Sequence, residues 1–80
     1  MKQGVVYKLL NDIYQYLGIA GDFAETKQRI IRIRLSLKTG LSMNKFLQAS
    51  DDNEEEVLRI IEALKSPEFG LQNFSFNKYS

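Results

Sequence analysis

From Ile31 to Lys38 apolar and polar residues alternate without a fault, in the run "IRIRLSLK". Such alternation marks a strand with one face buried, because successive side chains of an extended chain point to opposite sides. Yet the longer stretch from Phe23 to Thr39 holds no glycine or proline, and no turn cluster that could end a helix and open a strand. Asp22 stands three residues before Glu25, the spacing of a helix capping box. A strand has no comparable start signal here. The stretch is therefore expected to be a helix, with Phe23, Ile30, Ile33 and Leu37 on one face and Ile31 and Leu35 flanking it. Thr39-Gly40 closes it.

Helical spacing continues on either side. In residues 5 to 17, Val6, Leu9, Leu10, Ile13 and Leu17 fall on one face with Tyr14 beside them, and Gly18 supplies a stop. Ser42 is a natural N-cap for a helix over "MNKFLQAS", with Met43, Phe46 and Leu47 pointing inward. Asp51-Asp52 breaks the chain. Asn53 and Glu56 form a second capping box, and Val57, Ile60, Ile61 and Leu64 give the next helix its apolar face. Pro67 and Gly70 end it. The remaining segment, 67 to 80, carries Phe69, Leu71, Phe74 and Phe76, and reads as an extended aromatic arm laid on the core. The expected fold is one mainly α domain over residues 1 to 80: four helices in a compact arrangement, with an extended aromatic C-terminal tail.

Eighty residues are close to the size at which a single core is only just sufficient. Histidine and cysteine are both missing. That removes the common general base, the thiolate nucleophile and the best transition-metal ligands. The five glycines are dispersed, so no phosphate-cradling loop is present. No enzymatic activity, cofactor or metal is expected. The run "DDNEEE" has the look of a calcium loop at Asp51, Asn53 and Glu55, but Glu56 stands where the sharp turn needs glycine, and helix capping explains the residues without an ion. With no apolar run near the roughly 20 residues that span a bilayer, a cytoplasmic protein without membrane contact is expected.

Net charge is only +1, but its distribution is uneven. Lys27, Arg29, Arg32, Arg34 and Lys38 cluster in one stretch, and Asp51, Asp52, Glu54, Glu55 and Glu56 in another. The segment 32 to 61, "RIRLSLKTGLSMNKFLQASDDNEEEVLRII", resembles the phage-repressor-like helix-turn-helix family, with Leu35, Gly40, Leu41, Ser42, Phe46 and Val57 in the family's order and spacing. The resemblance implies a helix-turn-helix over about 42 to 65 and a small regulator of phage or plasmid type. Its DNA contacts would come from Ser42, Lys45, Asn53 and Arg59 in the motif and Lys38 before it, with Arg32 and Arg34 on phosphates. The chain departs from the pattern at Leu47, Asp51 and Asp52, where the family has a small alanine, the turn glycine and an apolar residue. Glu54, Glu55 and Glu56 also sit where the family reads bases, and carboxylates are repelled by phosphates. The alternative is a protein-interaction module, an inhibitor or adaptor, that binds its partner through charge at Asp51, Asp52, Glu54 and Glu55. Either could be a homodimer.

Overall fold

The computed structural model describes residues 4 to 47 and 53 to 79. Three α-helices carry the chain: α1 over Val5–Tyr16, α2 over Ala24–Thr39 and α3 over Glu54–Leu64. The described residues contain no strand. The stretch with perfect alternation is thus helical throughout.

Each helix end has a local cause. Tyr16 is the last residue of α1, and Gly18 follows in the left-handed conformation at φ 69°. Gly40 does the same for α2 at φ 75°, where a side chain would be strained. Thr39 Oγ1 donates to the Leu35 carbonyl and accepts from the Leu41 N–H, so the exit of α2 is tied down twice. Asn53 caps α3 as expected, its side-chain oxygen accepting from the N–H groups of Glu55 and Glu56. Glu56, however, forms an ion pair with Lys45 at 2.7 Å.

Four expectations are corrected. The residue capping α2 is Phe23, with no side-chain hydrogen bond, so Asp22 and Glu25 do not form a capping box there. The helix expected after Ser42 is a single 3-10 turn, Met43–Phe46, in its described part. Its cap is right, since Ser42 Oγ accepts from the Asn44 N–H. Leu47, expected inside, is exposed. Where four helices were expected, the described residues hold three α-helices and that 3-10 turn. Asp51 and Asp52 lie outside the described residues.

The core forms where the helices meet. Val6, Leu9, Leu10 and Ile13 of α1 pack with Val57, Ile60, Ile61 and Leu64 of α3, with Leu35 of α2 and with Phe46 of the 3-10 turn. The tail closes this core: Phe69, Leu71, Phe76 and Tyr79 are buried. It does so through two more 3-10 turns, Pro67–Phe69 and Asn77–Tyr79, with an aromatic cluster around Phe74. The Phe74 ring meets Tyr16 and Phe76 edge-on at 5.2 and 5.0 Å and stacks near Tyr79.

Candidate interaction surface

Two residues along an α-helix turn it through about 200°. A sequence that alternates with period two therefore places apolar side chains on two opposite faces of one helix. This happens in α2. Ile31 and Leu35 face the core, at 8% and 0% exposure. Ile33 and Leu37 face away, at 42% and 80%, and Ile30 and Phe23 join them at 43% and 70%. The apolar face expected from the sequence is thus the outward one, and its two flanking residues are the buried ones.

Phe23, Thr26, Ile30, Ile33 and Leu37 follow one another at spacings of three and four, the line of a coiled-coil seam. The seam forms a ridge between two surface grooves. One, of about 260 Å³, runs beside Lys27, Ile30 and Arg34 and is floored by Leu17, Ile19 and Phe69. The other, of about 530 Å³, runs beside Thr26 and Arg29 towards Met43 and Leu47. Lys27, Arg29 and Arg34 are exposed along these edges, and none of them forms an ion pair with a described residue. Glu25 and Glu68 also reach the grooves, but Glu68 is held by Lys38 at 3.2 Å.

The residues proposed to touch DNA are scattered in their roles. Lys38 and Lys45 are in ion pairs with Glu68 and Glu56. The side chains of Ser42 and Asn53 cap the two helical segments that follow them. Arg32 is half-buried, and its guanidinium donates to the Tyr14 hydroxyl at 3.4 Å. Burial holds the Tyr14 hydroxyl above its ordinary pKa, an effect that the Arg32 contact partly opposes. Only Arg34 and Arg59 stand exposed without such an engagement among the described residues. Of the acidic candidates, Glu54 and Glu55 are exposed at the start of α3, where the helix dipole favours them.

No family model, curated protein or solved structure matches this chain. Function has to be argued from the surface itself. The residues that sequence reasoning missed as a surface are Phe23, Ile30, Ile33 and Leu37, which it grouped on one face of the helix without giving that face a role. The signal was present in the alternation, read as a choice between strand and helix when it describes a helix with two apolar faces.

Proposed function

We propose that this chain is a small non-catalytic protein-interaction module, and that it binds through the outward face of α2. The observation that carries this reading is the exposed line of Ile30, Ile33 and Leu37 on one side of α2, continued by its capping residue Phe23. Scattered exposed apolar residues need no explanation, but a contiguous row rimmed by charges marks an interaction site. Burying such side chains fully would be worth about 1.5–3 kcal/mol each. Binding can draw on the part that folding leaves exposed, from 42% of Ile33 to 80% of Leu37.

A second reading, a DNA-binding regulator, rests on the exposed Lys27, Arg29, Arg34 and Arg59. Under it, residues 42 to 65 would act as a helix-turn-helix whose first helix is the short turn Met43–Phe46. Weighing against it, Lys38 and Lys45 are neutralised by carboxylates, and Glu54 and Glu55 stand where bases would be read. An acidic patch for a basic partner is a third use, made weaker by the engagement of Glu56 with Lys45.

Affinity capture from host cells with the wild-type chain and Leu37→Asp, read for protein and for DNA, separates these readings. Leu37 is too exposed for the variant to threaten the fold. The expected result is protein captured by the wild type and lost with Leu37→Asp, while Glu54→Gln with Glu55→Gln changes nothing. Salt-sensitive binding of duplex DNA at micromolar protein, weakened by Arg34→Ala, would replace this reading with the regulator.

A further inference from the structure

The outward face of α2 also says what kind of partner suits it. Resting on the interaction reading above, we propose that its occupant is an acidic amphipathic helix of a protein partner. The partner's apolar line would lie along Phe23, Ile30, Ile33 and Leu37, and its carboxylates would meet Lys27, Arg29 and Arg34.

Shape is the first ground. The apolar line covers only about 80° of the helix circumference, counted at 100° per residue. That is narrower than the face of roughly 100° or more that a helix turns to a broad apolar surface, and it matches the seam along which one helix packs on another. From Phe23 to Leu37 it runs about 21 Å, or some four turns. The grooves on either side give the partner's knobs somewhere to go, one of them lined by Leu17, Ile19 and Phe69.

Charge is the second ground. With Phe23, Ile30 and Leu37 at a positions, Lys27 and Arg34 fall at e positions and Arg29 at a g position, all exposed. These are the positions that choose partners. Glu25 is an exposed carboxylate on the same edge as Arg29, so the balance at the seam is basic.

The same arithmetic disfavours a second copy. An antiparallel pair centred on Ile30 and Ile33 sets Lys27 against the partner's Arg34, twice. A parallel pair sets Arg29 against the partner's Arg34, also twice; its one opposite-charge pairing, Asp22 with the partner's Lys27, starts from a residue that precedes α2. Like charges at these positions are destabilising. An acidic helix meets all three cations with opposite charge. A single helix laid on this ridge falls short of the roughly 800 Å² per partner of a standard stable interface, so the complex should be reversible and salt-sensitive.

Two synthetic three-heptad peptides test this, each with Leu at a and d, one carrying Glu at e and g and the other Lys. Titration by fluorescence anisotropy should show the Glu peptide binding, the Lys peptide not, and the affinity falling as salt rises. Ile33→Asp or Leu37→Asp should weaken it at least about tenfold, equivalent to about 1.4 kcal/mol. Lys27→Glu with Arg34→Glu should transfer the preference to the Lys peptide, and circular dichroism checks that each variant is folded. Equal binding of the two peptides, or binding of neither, overturns the proposal. So does retention on phosphatidylglycerol vesicles in place of the peptide, or sedimentation as a dimer that Leu37→Asp dissolves. Leu37-dependent capture of a protein together with no peptide preference sinks this inference alone. Capture that ignores Leu37 removes the reading beneath it.

Discussion

Tyr79 lies 67 positions along the chain from Asp12, yet its hydroxyl donates to the Asp12 carboxylate, and Lys78 approaches the same oxygen at 3.9 Å. The ring is buried and its hydroxyl is held well above the ordinary value of 10, first by burial, then by the hydrogen bond to Asp12 and last by the Asp12 charge. The sign of the consequence is fixed. The unfolded chain gives up the Tyr79 proton near pH 10 while the folded one keeps it, so this group costs stability only as pH rises above about 10. The loss continues until the folded-state value is reached. Tyr79→Phe should lower stability by about 1–3 kcal/mol at neutral pH, as a hydrogen bond to a charged group does. It should also flatten the fall of melting temperature between pH 9 and 11, measured against the wild type with its lysines unchanged. Helix caps give a second contrast at this scale. Asn53→Ala should cost about 0.5–2 kcal/mol, because two α3 amides lose their acceptor. Asp22→Ala should cost almost nothing, because Asp22 caps nothing. Urea titrations of the two variants check the difference, and equal losses would contradict the geometry at the start of α2.

For α2 as a helix, the two faces should separate cleanly in stability. Leu35→Ala should cost about 2–5 kcal/mol, since Leu35 is fully buried and leaves a cavity. Leu37→Ala, two residues on, should stay within about 0.5 kcal/mol. Denaturant midpoints measure both. This helix also shows what could be read from the sequence and what could not. The absence of Gly and Pro from Phe23 to Thr39, with Gly40 as the stop, was enough to make it a helix. α1 and α3 were legible down to their buried residues, because each has one apolar face and so one way to dock. α2 has two uncharged lines: Ala24, Gln28, Ile31, Leu35, Thr39, and Phe23, Thr26, Ile30, Ile33, Leu37. The second holds four large apolar side chains and the first only two, so counting selects the wrong one. The choice is made by where α3 and the 3-10 turn Met43–Phe46 meet the helix, and the contacts with α3 are long-range. The short turn was illegible for a related reason: Met43 to Leu47 has a helix cap and apolar residues, but only Phe46 is buried to reward a longer helix.

At the scale of the molecule, the core is shared between the helices, the 3-10 turn Met43–Phe46 and the tail. Val6, Leu9 and Ile13 of α1 and Ile60 and Leu64 of α3 reach zero exposure in a core that also contains Phe69, Leu71, Phe76 and Tyr79. The tail therefore works as the last wall of the domain. Each of its four buried side chains is worth about 1.5–3 kcal/mol. Together they match or exceed the roughly 5 kcal/mol at the low end of domain stability, where a chain of this size belongs. Deleting everything after Ser66 should then abolish cooperative folding, leaving a chain with some helical signal and no sharp thermal transition by circular dichroism. Phe74→Ala tests the same wall more gently. Its ring is only half-buried but touches Tyr16, Phe76 and Tyr79, so the variant should stay folded and melt several degrees lower, at about 4–8 °C per kcal/mol. A truncated chain that still melts sharply near the wild-type temperature would show that the helices close the core alone. The tail aromatics would then be available to a partner, and the outward face of α2 would no longer be the main apolar surface of this molecule.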